Sequence, residues 1–351
     1  MYRLSLLVAF ATAVPSAAQQ SYDLSADHVA VYNIAGTHTL TAGSGSAVRV
    51  EVRTAGRDGG RLTVDRATID GRATLVVRYP SDRIVYRPAD GHGTFQNEMR
   101  IRTDGTFYDD DRSGDRRDAG NRVSVRSSGD GLEAWADLRI VVPAGQRLSL
   151  YNGAGTITVT NVDGTLHLDG GATEITTTGT RGALTVDVGS GTVEVTDALG
   201  DVDVDTGSGS VTVTRMRGDA LRVDTGSGSV QADAVTVRTL NVDTGSGSVT
   251  IRGAAAQSIL VDTGSGSVTL ELTQRPQEVA VDTGSGGVTL VVPAGYGATV
   301  DIETGSGGID VDFPLQVRRW SRDHVTGTIG DGNGRLTVET GSGGVRVRQG
   351  N

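Results

Sequence analysis

Leu221-Arg222-Val223-Asp224-Thr225-Gly226-Ser227-Gly228-Ser229-Val230-Gln231-Ala232 carries the plan of the chain. Leu221, Val223 and Thr225 alternate with Arg222 and Asp224, the period of a half-buried strand. Gly226-Ser227-Gly228 makes a turn, and Ser229 to Ala232 opens a second strand. The next unit repeats this with Leu240 and Val242 before the turn and Val249 and Ile251 after it. The one after has Ile259 and Val261, then Val268, Leu270 and Leu272. Val-Asp-Thr-Gly-Ser-Gly recurs with its Thr at 206, 225, 244, 263 and 283; Thr304 and Thr340 fill the same slot behind Glu303 and Glu339. Val188 heads a degraded copy, and Asn152-Gly153-Ala154-Gly155 and Gly170-Gly171-Ala172 fit the same register. A repeat of about 20 residues that cannot bury its apolar side alone must stack on its neighbours. The expected fold is all-β, a parallel β-solenoid with two short strands and two turns per coil. Its hand is expected to be right, as in parallel crossovers generally.

The regular solenoid is expected over residues 132–349, led in by Leu138-Arg139-Ile140-Val141-Val142-Pro143. Thr304 and Thr340 are spaced about twice the repeat, so 305–340 reads as an irregular closing unit, with Phe313, Pro314 and Trp320 as a core plug. Arg346 and Arg348 alternate with Val345 and Val347, which reads as a charged, blunted edge strand. Residues 19–80 carry a shorter β pattern and form an N-terminal β cap, with Ala42-Gly43-Ser44-Gly45 as a first turn of the solenoid kind. Between them, 81–131 is rich in Asp, Arg and Gly and lacks periodicity, and is expected to be a mobile insertion.

Aromatic content is 4%, with 51 Gly against 7 Pro, which suits a thin aliphatic core and Gly turns. The net charge is -10 and there is no lysine, so phosphate backbones are repelled and nucleic acid is excluded as a partner. With no Cys, disulfides and thiolate chemistry are excluded. Residues 1–18 read as a signal peptide: Arg3, an apolar Leu4 to Val14, then Ser16-Ala17-Ala18. The apolar run is too short to span a bilayer, and no other segment reads as a transmembrane helix. The expectation is export to the periplasm, the cell surface or the medium.

The repeat contains Val-Asp-Thr-Gly-Ser, the signature around the catalytic Asp of pepsin-like proteases. Those enzymes need two such Asp facing each other, whereas Asp205, Asp224, Asp243, Asp262 and Asp282 recur once per coil and should stack along one edge. Each precedes a turn, where its carboxylate could accept a backbone N–H. Gly207, Gly226, Gly245, Gly264 and Gly284 are read as turn residues supplying positive φ. The alternative role of the ladder is calcium binding, since rungs about 4.8 Å apart repel by roughly 0.9 kcal/mol per pair in water. A second calcium candidate is Asp109, Asp111, Ser113 and Asp115 in the insertion, although Gly120 stands where a calcium loop needs Glu. No catalytic residue and no other cofactor is indicated. His28, His38, His92, His167 and His324 show no ligand spacing, and Thr212, Thr250, Thr269 and Thr289 read as stabilising surface ladders.

Several landmarks appear in order: Asn33-Ile34-Ala35-Gly36, Val48-Arg49-Val50-Glu51, Leu138 to Gly145, the Thr-Gly-Ser-Gly coils, and Gly334 to Gly343. In these the chain resembles a bacterial family of β-strand-repeat proteins that bears an adhesin label inferred from shape and has no established function. The resemblance implies a non-catalytic surface or envelope interaction module with an envelope protein or polysaccharide as partner, and brings no site residues with it. The alternatives are a passive spacer or self-associating envelope protein, and a carbohydrate-active β-helix enzyme. The last needs clustered carboxylates and aromatic platforms, for which two Trp are a poor endowment.

Overall fold

A computed structural model describes residues 19–87, 94–108 and 120–350. One hydrogen-bonded network of 26 strands wraps into a two-faced parallel solenoid, and a second sheet of 4 strands sits against it. In each later coil a six- or seven-residue strand such as Ala220–Thr225 lies on the first face, and a shorter one such as Val230–Asp233 lies on the second. In the earliest coils single long strands, His28–Gly43, Gln146–Thr160 and Gly164–Thr178, run across both faces. Alternation decides what is buried. Leu166, Leu184, Val202, Leu221, Leu240 and Ile259 pair rung to rung as one inward column, and Leu168 to Val261 form the next. All of these are core residues. Single-residue bridges from Asp163 through Arg181, Leu199, Arg217 and Thr236 to Ala255 add a third, minimal ladder at the return corner.

The two corners use different turn chemistry. At the return corner one residue per coil is left-handed: Asn161, Gly179, Asp197, Arg215, Ala234 and Gly253, with φ between 54° and 71°. At the Thr-Gly-Ser-Gly corner the glycines do not have positive φ, contrary to the expectation for Gly207, Gly226, Gly245, Gly264 and Gly284. They are needed for space. A Cβ on Gly226 would lie 2.6 Å from Gly207 O, and one on the second glycine, Gly228, only 1.9 Å from Gly209 O. The turns stack so closely that backbone touches backbone. Nor is Asp the side chain that closes this turn. The Thr is fully buried. At Thr283 its Oγ1 accepts the Gly286 N–H at 3.0 Å and donates to Gly266 O of the previous coil at 3.0 Å.

The N-terminal region is the first coil. Its Asn33 lies beside Asn152, which lies beside Gly170, in register with the later Thr column. Gly43 to Gly45 leads away from that coil and is not a stacked turn: Trp135–Pro143 lies between the strands on either side of it, His28–Gly43 and Val48–Ala55. Gln19–Leu24 finishes the second face and Thr63–Ile69 the first, both antiparallel.

The described part of the 81–131 stretch forms the second sheet. Arg83–Val85, Gln96–Ile101, Asn121–Arg126 and Leu132–Glu133 make it up. Tyr86, Met99, Phe107, Val123 and Val125 are buried in it or beneath it. Where it is described, the stretch expected as a mobile insertion thus contributes strands to a small sheet of its own. Gly153 and Gly171 form its seat. Asn97 donates to Gly153 O at 2.7 Å, and a Cβ on Gly171 would meet Asn97 Nδ2 at 2.0 Å.

The far end departs from sequence order. Glu278–Thr283 pairs not with the next strand, Ala298–Thr304, but with Gly334–Thr340, which in turn pairs with Ala298–Thr304. On the second face Val345–Gln349 likewise lies between Val288–Val292 and Ile309–Asp312. The 334–349 coil is therefore an interior rung. Arg346 and Arg348 do not blunt an edge, and Arg346 pairs instead with Asp310 at 3.3 Å. The outermost strands of the first face are an antiparallel hairpin, His324–Ile329 and Leu315–Trp320. Phe313 packs partly against the core. Pro314 and Trp320 are exposed, so Trp320 is not the expected plug.

Candidate functional site

Outward positions of the first face follow from the same alternation that buries Val and Thr. One outward column runs through Asp169, Asp187, Asp205, Asp224, Asp243, Asp262, Asp282, Glu339 and Glu303, each directly paired with the next. The Asp copies are thus brought together as one continuous ladder. This geometry is opposed to the two-lobed arrangement a pepsin-like site requires. Beside it a mixed column includes Thr185, Asp203, Arg222, Asn241, Leu260 and Ala280. From Asp187 to Glu339 the acidic column and its neighbour line an open groove of about 890 Å³, while Asp169 at the head is buried. Partial burial, then the neighbouring carboxylates Asp224 and Asp203, push Asp205 above the usual Asp range. Burial, then Asp224 and Asp262, do the same to Asp243. The ladder is therefore an electrostatically loaded surface that a cation or cationic partner would relieve.

Aromatic side chains close the head of the ladder. Tyr32 and Tyr151 precede Asp169 and stack at 4.3 Å with nearly parallel planes; Phe107, in the segment that follows the strand Gln96–Ile101, meets Tyr32 edge-on. Tyr108, next to it in the same segment, accepts a hydrogen bond from Asn97 at 2.8 Å. Burial pushes its phenol up to about 12. Here a small cavity of about 240 Å³ is lined by His28, Arg72, Tyr108, Ser149, Tyr151, His167 and Asp169, among others. His28 Nε2 and Ser149 Oγ are hydrogen-bonded at 2.8 Å, and Arg72 donates to Tyr151 OH at 3.3 Å. Ser149 is buried at the wall of this cavity.

Among the described residues no three His, Asp or Glu side chains gather as a metal-binding group. The carboxylates form a line, not a cage. Asp109, Asp111, Ser113 and Asp115 lie outside the described residues, as do His92 and the 1–18 segment. Among the described residues no helix is long and apolar enough to cross a membrane. Sequence reading missed Asp169, whose Leu168-Asp169-Gly170-Gly171 context carried the repeat signal without the Thr. It also missed the place of Glu339 inside the ladder, which only the strand order reveals.

A family model described as Toastrack DUF4097 matches residues 138–348. No curated protein matches the chain. Among solved structures, a candidate cell adhesion protein from Clostridium sporogenes ATCC 15579 aligns over 95% of this chain and 100% of its own. The identity is 8% and the TM-score 0.20, a superposition that defines neither fold nor role.

Proposed function

The chain belongs to the Toastrack DUF4097 family, a domain of unknown function, and on that footing we propose that it is an exported, non-catalytic interaction module of the cell envelope. It holds an extended, positively charged segment of another envelope protein along its acidic groove. The observation that carries this is the unbroken carboxylate ladder lining the groove. Many equivalent, exposed charges favour fast, salt-sensitive, multivalent association over one tight contact. The non-catalytic reading rests on sameness. Carboxylate enzymes set two groups in unlike environments so that one donates and one accepts a proton, whereas the exposed rungs from Asp205 to Asp282 repeat one sequence context on one face. Export is supported by Arg3, the Leu4 to Val14 run and Ser16-Ala17-Ala18.

The test is capture of envelope proteins by residues 19–351, compared with a triple variant Asp224→Asn, Asp243→Asn, Asp262→Asn. A partner retained by the native chain, lost by the variant and eluted by about 0.5 M salt supports the reading. Retention unchanged by the triple variant overturns the groove as the site. Release of oligosaccharide from an envelope polysaccharide would overturn the non-catalytic assignment.

A further inference from the structure

The outer hairpin of the first face continues the core columns past the point where the second face stops. Ala298, Val300 and Ile302 pair with Ile329, Gly327 and Val325, and these pair with Leu315, Val317 and Trp320. Leu315, Val317 and Trp320 therefore stand on the side of the sheet that is core elsewhere. The opposite face ends at Ile309–Asp312, which pairs only with Val345–Gln349. Among the described residues no strand of the second face lies across from the hairpin's outer strand, of which Leu315 still packs partly against the core while Val317 and Trp320 do not. Val325 is fully buried, yet Val317 is 51% and Trp320 54% exposed, the most of any large apolar side chain described.

Charge sits beside this apolar strip. Arg318, Arg319 and Arg322 are exposed, and no described carboxylate lies within ion-pair distance of any of them. Two acids of the hairpin region have hydrogen-bond partners of their own: Asp323 accepts from the Ser321 hydroxyl at 2.7 Å and also feels the Arg319 charge, and Asp301 lies 2.9 Å from His324 Nε2. On a chain of net charge -10, Arg318, Arg319 and Arg322 thus cluster around an exposed Trp, with Arg319 acting on Asp323 and the other acids of this end, Asp301, Glu303, Asp310 and Asp312, on neighbouring strands.

We infer that this end docks on an anionic lipid bilayer. Trp320, Val317 and Leu315 would enter the interface, and Arg318, Arg319 and Arg322 would meet the headgroups. The composition is that of an interfacial anchor, aromatic and aliphatic on one side and Arg on the other. The charge complementarity is with an anionic lipid surface. Pairing of two copies through the same strand is disfavoured, because it would set Arg318 and Arg319 of both copies along one seam. The hairpin lies at the end of the stack, so the solenoid would stand up from the membrane with its acidic groove clear of the headgroups.

The experiment is co-sedimentation of the full chain with vesicles of phosphatidylcholine alone and with phosphatidylglycerol added. Tryptophan emission and quenching by brominated lipid are followed alongside. Binding to the anionic vesicles only, with a blue shift and quenching, is expected. Trp320→Ala and the pair Arg318→Gln, Arg319→Gln should each bind at least tenfold more weakly at unchanged melting temperature. Trp135→Phe leaves Trp320 as the sole reporter, and sedimentation of the native chain decides the matter even if that variant fails to fold. Equal binding by native and variant chains, or no binding, overturns the inference. So does a vesicle-independent, concentration-dependent doubling of mass that Trp320→Ala abolishes, which would assign the strip to a second copy. Binding to soluble polyphosphate with none to vesicles overturns it as well.

Discussion

At Thr263 a buried hydroxyl donates to Gly247 O of the previous coil at 3.1 Å. Thr263→Val keeps the shape and removes the donor, leaving a buried carbonyl short of a partner. It should cost about 1–2 kcal/mol in denaturant unfolding. Gly266→Ala should cost more, about 3 kcal/mol or above, because its Cβ would lie 1.9 Å from the Gly247 carbonyl oxygen and backbone cannot step aside. Ala234, by contrast, adopts φ of 55° at the other corner. There Ala234→Gly relieves left-handed strain, set against a greater loss of chain entropy, and should stabilise by about 0.5 kcal/mol. A thermal melt of the three variants would show glycine demanded for space at one corner and welcome for φ at the other. The sequence pattern made the glycines conspicuous at the Thr-Gly-Ser-Gly corner alone. It could not say which reason held, because a close approach between coils depends on the distance between rungs and not on any residue near the turn.

Strands and columns titrate in opposite senses. His38 lies in the aliphatic column of the second face, paired with Leu138 and Ile157, with Asn33 Nδ2 3.1 Å from its Nε2. Burial, partly offset by the Thr156 backbone, lowers its pKa from 6.5 to about 4. Below pH 6.5 the unfolded chain binds a proton that the native chain refuses. Stability is therefore full above that pH and falls as the pH drops toward 4, by at most ~3 kcal/mol. Urea unfolding at pH 7 and pH 4.5 should show the loss, and His38→Gln should flatten it. The ladder works the other way: Asp205 and Asp243 are raised, so the native state holds their protons longer, and their penalty is absent at low pH and appears as pH rises through their folded values. Asp243→Asn should stabilise by about 0.5–1 kcal/mol at pH 7 and low salt, with the gain vanishing near pH 3. The ladder was legible from periodicity because Asp keeps one parity against Val and Thr. The second sheet was not: Tyr86, Met99, Phe107 and Val123 are scattered among polar residues without a period, and their common burial exists only after Gly153 and Gly171 have made room for them.

For the molecule as a whole, the order of coils decides what a truncation does. Ending the chain after Asn333 removes the rung between Glu278–Thr283 and Ala298–Thr304 and leaves the latter without its parallel neighbour. Ending it after Val292 removes the whole far end and leaves the Thr283 coil as a bare terminus. The longer product should be the less stable per residue and the more easily cleaved by protease, the reverse of what a stack built in sequence order would give. The repeats could not announce this, because Thr304-Gly305-Ser306-Gly307 and Thr340-Gly341-Ser342-Gly343 fit the same rung equally well.

That interleaving also bears on how the protein is made. The 298–312 coil leaves the ribosome, and on the proposed route the export channel, before the 334–349 coil. Yet in the finished fold it stands one rung away from the Thr283 coil, paired with its own hairpin, and the later coil lies between. Assembly cannot simply zip from first residue to last. A prematurely terminated chain would be left with unsatisfied strand edges where the 334–349 coil belongs. The final stacking step is in this sense a checkpoint for completed synthesis.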